Sequence, residues 1–189
     1  MVNIRFEKRL KQIQSEIWVK IAQIDEIKGR WNAGVKLSPQ ILGRLKRSVL
    51  VTSSGASTRI EGAKLSDEEV ERLMAGIDIQ KFADRVSQEV RGYFELLQNI
   101  FNSWPSIVFS ESTIKHFHQE LLKYVEKDHI HRGEYKKSEN KVEMIDEHGK
   151  RVRVLFDTAP AYLTPKLMQE LVEWTLEALG QKKYHPILV

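Results

Sequence analysis

Apolar residues recur at steps of three and four along most of the chain, the spacing that places them on one face of an α-helix. The first such run extends from Ile4 to Ile27. It predicts one long amphipathic helix that stops near Gly29, and the following residues 31–34 are predicted to form a loop. Ser38 followed by Pro39 is typical of a helix start, so a second helix is predicted to lead from there into a serine-rich stretch.

The same reasoning predicts four further helices. Ser66 and Glu69 have the spacing of a capping box, in which each side chain bonds the backbone N–H of the other residue. The other three helices follow from apolar runs: one from Phe82 to Phe101, one after Ser110, and one from Thr164-Pro165 to Gly180.

The pattern changes between Asn140 and Phe156, where apolar residues recur at every second position on both sides of Asp146-Glu147-His148-Gly149: Val142 and Met144 before it, and Val152, Val154 and Phe156 after it. This period of two, interrupted by a turn with glycine, predicts a β-hairpin. An isolated hairpin is marginally stable, so it should either lean on the helices or act as a mobile flap. The predicted fold class is mainly α with one hairpin.

Composition and charge fit a compact globular protein. Of the 189 residues, 41% are hydrophobic and 30% charged, and the chain has no cysteine. No apolar run reaches membrane-spanning length and the N-terminus lacks the pattern of a signal peptide, so we predict a cytoplasmic protein with no membrane association. The net charge of +4 is too small and dispersed to favour nucleic acid as a partner.

The common catalytic signatures are missing. His116 and His118 are two residues apart on a helix and do not share a face, so no metal site is predicted. The sequence contains neither a Gly-x-x-x-x-Gly-Lys loop nor a Gly-x-Ser-x-Gly elbow. Ser53 and Ser54 are predicted to be helix-capping or surface hydroxyls, because no general base accompanies them.

One stretch combines a hydroxyl, a carboxylate and a glycine at a predicted helix end. Ser57 and Glu61 are four residues apart and would project side by side, and Gly62 can end the helix. Further along stand Phe117-His118, Gly133-Glu134-Tyr135-Lys136 and Ser138-Glu139-Asn140, then the hairpin, Ala159-Pro160 and His185-Pro186. In this order the set resembles Fic proteins, which transfer AMP from ATP to protein hydroxyls, and the stretch at Ser57 resembles their inhibitory helix.

The resemblance covers the chain from about Ser53 to its last residue, and it implies an organisation. Residues 1–50 would form an N-terminal helical region, 51–78 the inhibitory segment, and 79–189 the first part of a Fic-like helical bundle with its flap at about 140–156. Ser57, Glu61 and Gly62 would be inhibitory. His118, Gly133, Tyr135 and Lys136 would be structural motif residues, although the family usually has Arg where this chain has Lys136. The docking residues of the flap would be Val142, Glu143, Met144, Val152 and Val154.

The family's catalytic signature, His-Pro-Phe-x-Asp/Glu-Gly-Asn-Gly-Arg, does not occur in this sequence. Pro186 and the apolar residues after it look like the start of a further helix, so we interpret the chain as truncated before that signature and expect it to be inactive, with no catalytic residue of its own. ATP and Mg²⁺ are implied for the parent protein and are not expected to bind this chain. The implied partner is a protein with a Ser, Thr or Tyr hydroxyl, and a homodimer is possible.

The resemblance also implies that Glu61 pairs with the last arginine of the missing signature and so holds ATP in an unproductive pose. Without that arginine a buried carboxylate would lack its counter-charge. We therefore expect Glu61 to be exposed or to find another cation. Two alternatives remain open: a helical interaction or regulatory module without catalysis, which could dimerise through the hairpin edge or the first helix, and a helical nucleic-acid binder.

Overall fold

The computed structural model describes residues 2–34, 37–60, 62, 64–75, 84–146, 148 and 150–189. These residues form seven α-helices and one antiparallel hairpin, which confirms the prediction of a mainly helical chain with a single hairpin. In chain order the elements are α1 Val2–Leu10, α2 Ser15–Gly34, α3 Pro39–Ile60, α4 Asp67–Met74, α5 Arg85–Ser103, α6 Glu111–Leu121, β1 Lys141–Ile145, β2 Arg151–Asp157 and α7 Thr164–Gly180. None of the helices so described is both long enough and apolar enough to cross a membrane.

The prediction of one helix from Ile4 to Ile27 is wrong. Turns at residues 11–14 separate α1 from α2, and α2 continues through Gly29 as far as Gly34, where a loop was expected. An apolar period does not report whether the backbone is continuous. It did not report burial either, because Ile17, Ile24 and Ile27 of the predicted stripe are exposed and Ile21 alone among its α2 members is buried. Gly29 is tolerated inside α2 at a cost of about 1 kcal/mol relative to alanine.

The other helix starts follow from local side-chain chemistry. Ser66 caps α4 by accepting from Glu69 N at 3.2 Å, while Glu69 accepts from Ser66 N at 2.8 Å, so the predicted capping box is confirmed. Ser110 caps α6 through Thr113 N. Asp84 caps α5 through Ser87 N, a start that the apolar pattern placed at Phe82, outside the described residues.

The chain divides into two compact units. The first unit consists of residues 1–53 and 173–189, and the second of residues 54–172. In the first unit Trp174 is buried and stacks on Phe6 with ring centroids 4.8 Å apart, while Tyr184 lies on the same indole at 6.5 Å. The remaining buried apolar residues of this unit are Ile21, Leu50, Val51 and Ala178.

The second unit is organised around the contact between α5 and α6. Gly92 on α5 permits this contact, because a Cβ atom there would lie 1.9 Å from the carbonyl oxygen of Leu121. The buried apolar residues of the unit are Val70, Leu73, Val90, Leu122, Val125 and Val172.

A charged network lies beside the same contact. Glu95 on α5 accepts hydrogen bonds from Arg91, Lys123 and Tyr124 at 2.8–3.0 Å. Burial opposes ionisation of Glu95, but these hydrogen bonds outweigh it and lower the pKa of the carboxyl. The network therefore holds an ionised carboxylate between the two helices.

Candidate functional site

The C-terminal end of α3 is joined to α5 by a pair of hydroxyls. Ser57 Oγ donates to the phenolic oxygen of Tyr93 at 2.9 Å, and both side chains are half-buried. One turn earlier on α3, Ser54 is fully buried, which contradicts the prediction that it is a capping or surface hydroxyl. Ser54 and Gly55 both lie on the buried side of the helix. A larger side chain at either position would have to displace neighbouring atoms.

The side chain of Arg59 connects the end of α3 with the start of α4. Its guanidinium donates to the carbonyl oxygen of Leu65 and to Oδ1 of Asp67, both at 2.9 Å. Gly55 leaves the space for this arrangement, since a Cβ there would lie 2.7 Å from both Arg59 Nη1 and Asp67 Oδ1. The segment between α3 and α4 is thereby tied at both of its ends, and we call these two hydrogen bonds the Arg59 clasp.

Gly62 lies just beyond α3 with φ of +94°, the left-handed conformation that favours glycine after a helix. The predicted role of Gly62 as a helix terminator agrees with this geometry. Glu61, the central residue of the predicted inhibitory motif, lies outside the described residues, and so does the expectation about its exposure.

A pocket of about 600 Å³ opens beside this helix end. Val86, Leu121 and Leu122 supply apolar walls, and the hydroxyls of Ser57, Thr58 and Tyr93 supply polar atoms. Arg85 at its edge is paired with Glu89 and with Asp128, each at 2.7 Å. The cation is thus already balanced by carboxylates, so the pocket suits a neutral or weakly polar group better than an anion.

The predicted structural motif residues come together in the second unit. Gly133 N donates to Nδ1 of His118 at 3.0 Å, which joins the loop after α6 to the helix itself. Gly133 has φ of +69° and its Cα faces the carbonyl oxygen of Lys115, so a side chain there would be both strained and crowded. His118 is thus engaged in a structural hydrogen bond, although its side chain is largely exposed.

Tyr135 lies two residues further along this loop. Its ring is covered by the ammonium group of Lys115, 4.6 Å from the ring centroid, a cation–π contact. Burial raises the pKa of Tyr135 to about 12, and the nearby carboxylate of Glu111 adds to the effect. Tyr135 is therefore neutral at physiological pH and acts as a packing residue.

Lys136 bonds residues on both sides of the hairpin at its base. Its ammonium group lies 2.5 Å from Asn140 Oδ1 and 2.5 Å from Thr158 Oγ1, and the Thr158 hydroxyl is 2.7 Å from the carbonyl oxygen of Asn140. Glu139 accepts from Ala161 N at 2.9 Å. The segments before β1 and after β2 are therefore bonded to each other through side chains.

The two strands of the hairpin differ in regularity. Glu143 pairs with Val154, Met144 with Arg153 and Ile145 with Arg151, which leaves Val152 as an extra residue on β2; Leu155 is a second one. Two residues opposing one are the mark of a β-bulge, so β2 carries two bulges and β1 none.

The predicted docking residues are spread over both strands. Val142, Met144 and Val152 are exposed, Val154 is half-buried, and Glu143 is paired with Arg151 at 3.0 Å. Apolar side chains of β2 such as Leu155 and Phe156 are exposed as well, so the helices do not cover them. The sheet has only these two strands among the described residues, so the outer edge of the regular strand β1 has no neighbouring strand.

Sequence reasoning missed several residues that build this site. Tyr93 belongs to an ordinary apolar run, Thr158 follows the hairpin without a motif, and Arg59 and Asp67 are eight residues apart across a helix boundary. None of these pairings has a fixed sequence spacing. An arginine within a proposed inhibitory motif followed by a carboxylate at the next helix start was the one signal that could have suggested the clasp.

Within the described ranges, no three His, Asp or Glu side chains lie close enough together to hold a metal ion. No family model matches this chain, and no curated protein and no solved structure matches it either.

Proposed function

We propose that this chain is the inhibitory and target-presenting part of a Fic-type protein adenylyltransferase. The observation that carries the proposal is the bonded junction below the hairpin. There His118 meets Gly133, and Lys136 meets Asn140 and Thr158. The first of these bonds holds the loop after α6 to that helix, and the other two join the segments on either side of the hairpin. Residues that the resemblance assigns to one motif thus shape the connection between α6 and the hairpin.

The inhibitory role belongs to the end of α3. The Ser57–Tyr93 hydrogen bond lies before Glu61 in the chain, and the Arg59 clasp bonds the end of α3 to Leu65 and Asp67 after it. We propose that Glu61 pairs with an arginine of the catalytic signature and thereby excludes the productive position of the nucleotide.

The hairpin would hold the target protein by strand addition. Because β1 is regular and its outer edge is open, it can pair with an extended segment through backbone hydrogen bonds, and exposed Val142 and Met144 would contact the side chains of that segment. This places a hydroxyl-bearing loop of the target beside the catalytic residues of the parent protein.

The described residues do not fit Mg²⁺, since no metal-holding group of side chains occurs among them, and the sequence has no glycine-rich phosphate loop. No step is therefore assigned to Mg²⁺ or ATP on this chain. Both would be bound by residues of the catalytic signature, and this chain alone is expected to transfer no AMP.

The test begins with the coding region that follows the codon for Val189, which should encode His-Pro-Phe-x-Asp/Glu-Gly-Asn-Gly-Arg. The protein encoded by that longer reading frame is then incubated with ATP labelled at the α-phosphate. Glu61→Gly should increase labelling of target or self at least about tenfold, the factor that corresponds to 1.4 kcal/mol. Glu68→Gly, a change at an exposed carboxylate on α4, is the matched control and should leave labelling unchanged.

Equal labelling by Glu61→Gly and the unaltered protein would refute the inhibitory role while leaving the transferase intact. A reading frame without the signature, combined with no labelling by either variant, would refute the transferase itself. In that case the second candidate function, a non-catalytic interaction module, takes its place, because large apolar side chains of the first unit such as Trp18, Val19 and Ile27 are exposed.

A further inference from the structure

A second pocket of the second unit, with a volume of about 660 Å³, is lined by α5, α6 and the segment that joins them. None of its lining residues enters the transferase proposal. Its volume is in the range of sites that bind small molecules. Five of the lining residues are apolar and supply a surface for the body of a ligand: Leu96, Ile100, Ile107, Val108 and Phe117.

Polar lining residues form one pair on each helix. Asn99 and Ser103 are four residues apart on α5, and each pair shares one face of its helix because the same spacing separates His116 and Glu120 on α6. The side chains of Asn99, Ser103 and His116 form no hydrogen bond with another described residue. Their polar atoms are therefore available to a ligand.

Three other polar groups of the lining can only accept hydrogen bonds from a ligand. The hydroxyl of Ser106 donates to the carbonyl oxygen of Ser103 at 2.8 Å. The hydroxyl of Thr113 donates to the carbonyl oxygen of Val108 at 2.7 Å. Because a hydroxyl has one hydrogen, both oxygens keep acceptor capacity alone, and the carboxylate of Glu120 has no hydrogen to donate. A ligand that satisfies this lining must bring donors.

The charges around the pocket favour a cation over an anion. No lysine or arginine is among the described residues that line it, and Glu120 is the one carboxylate in that set. Lys123 donates to Oε2 of Glu120 at 3.1 Å, but the same ammonium group lies closer to Glu95, at 2.9 Å. Lys123 is therefore shared between two carboxylates, and Oε1 of Glu120 is bonded to no described residue.

We propose that this pocket binds a small molecule that joins a primary ammonium group to a compact apolar body. An ammonium group has three donors and no acceptor, which matches the acceptor groups of the lining, and Glu120 would receive it in a charge-assisted hydrogen bond. The apolar body would be covered by the five apolar residues. A carboxylate or phosphate would instead bring acceptors and negative charge to Glu120. This site and the transferase proposal share no residue, so either can fail without the other.

The test uses the whole chain and three probes that share an indole body: tryptamine is a cation, tryptophol is uncharged and indolepropionate is an anion. Binding is followed in two-dimensional amide NMR spectra, in which residues 96–120 should shift. Tryptamine should bind with a millimolar Kd, at least about fivefold more tightly than tryptophol and at least about tenfold more tightly than indolepropionate. Nα-acetyl-lysinamide carries the same ammonium group on a flexible stem and should bind at least about fivefold more weakly than tryptamine.

Two substitutions assign the binding to the pocket. Glu120→Gln keeps the shape of the side chain and removes its charge, so it should weaken tryptamine binding by at least about fivefold and leave tryptophol unchanged. Val108→Lys, at a lining residue that is 71% exposed, should reverse the preference in favour of indolepropionate. The matched controls Glu126→Gln and Ile130→Lys change exposed residues outside the lining and should leave all affinities unchanged.

Circular dichroism establishes that each variant is folded. If Glu120→Gln does not fold, Val108→Lys carries the test, because it alters an exposed side chain. Binding of tryptophol or indolepropionate as tight as that of tryptamine would overturn the proposal. So would tryptamine binding that neither substitution changes, shifts confined to residues outside 96–120, or no shifts at millimolar tryptamine. Tighter binding of Nα-acetyl-lysinamide would also overturn it, because the occupant would then be a lysine side chain of another protein.

Discussion

Among the described glycines, Gly92 is the one at which replacement by alanine should destabilise the fold most. Gly92→Ala would push a Cβ atom into the carbonyl of Leu121, which is backbone and cannot rotate away, so α5 and α6 must separate. The expected loss is about 1–3 kcal/mol of unfolding free energy or more, measured by urea denaturation.

The matched control for that change is Gly43→Ala on α3, where an added Cβ meets no atom within 4 Å. This substitution should stabilise the helix by about 0.5–1 kcal/mol, because alanine replaces glycine in an open helical position. If the two alanine variants behaved alike, the close approach of α5 and α6 would be refuted.

Glu95 gives a second prediction at this scale, one that depends on pH. Its folded pKa lies below the ordinary value of 4.5, so its contribution to stability is present above that pH and is lost as the pH falls through the folded pKa. The melting temperature of Glu95→Gln should therefore lie below that of the unaltered chain at pH 7, and the difference should shrink below pH 4.5. A difference that is independent of pH would indicate that the network does not depend on the ionised carboxylate.

Residue-level chemistry was predictable from the sequence where partners lie three or four positions apart. The capping box of Ser66 and Glu69 is such a case. Ser57–Tyr93 and Lys136–Thr158 join residues 36 and 22 positions apart, and only the packing of the chain decides that they meet. Ser54 was misassigned for the same reason, since burial depends on what packs against a helix.

Among the elements, the hairpin should owe its local stability to the side-chain hydrogen bonds at its base. Lys136→Ala removes the ammonium group that holds Asn140 and Thr158, so residues 141–157 should exchange their amide hydrogens faster while the melting temperature of the chain changes little. Lys137→Ala, at the exposed neighbouring lysine, is the control and should leave exchange unchanged. If residues 141–157 exchanged at the same rates in the unaltered chain and in both variants, the hairpin would be stabilised by the pairing of its strands alone.

Whether a segment forms a helix or a strand was predictable, because apolar residues recur with a different period in each. The residues at which the elements begin and end were not predictable. The hairpin was placed correctly, whereas the break between α1 and α2 went unnoticed because the apolar period runs through it. The bulges of β2 have no sequence signal either, since Val152 and Leu155 fit a β-strand composition as well as their neighbours do.

At the scale of the whole molecule, the two units should unfold at different urea concentrations. Trp174, the buried tryptophan, belongs to the first unit, and that unit's net charge of +7 creates self-repulsion. Tryptophan fluorescence should therefore change at lower urea than the far-ultraviolet circular dichroism of the chain, and 0.5 M NaCl should narrow the gap. Trp104→Phe removes the tryptophan of the second unit and should leave the early fluorescence transition in place. Coincident curves in both buffers would indicate one cooperative structure.

The units themselves were not predictable from the sequence. The first unit joins residues 1–53 to residues 173–189, and no local pattern indicates that the two ends of a chain share a core. The charge of the first unit, in contrast, can be read from the sequence once the boundary is known, because residues 1–53 alone hold 11 Lys and Arg against 4 Asp and Glu, and residues 173–189 add two of each sign.

The bulges of β2 also bear on how copies of this chain can assemble. A bulged edge does not offer the regular row of N–H and C=O groups that an incoming strand needs, while the edge of β1 does. With one usable edge per molecule, edge-to-edge pairing of hairpins stops at two copies. The exposed hairpin can therefore remain available to a partner strand without propagating into a filament.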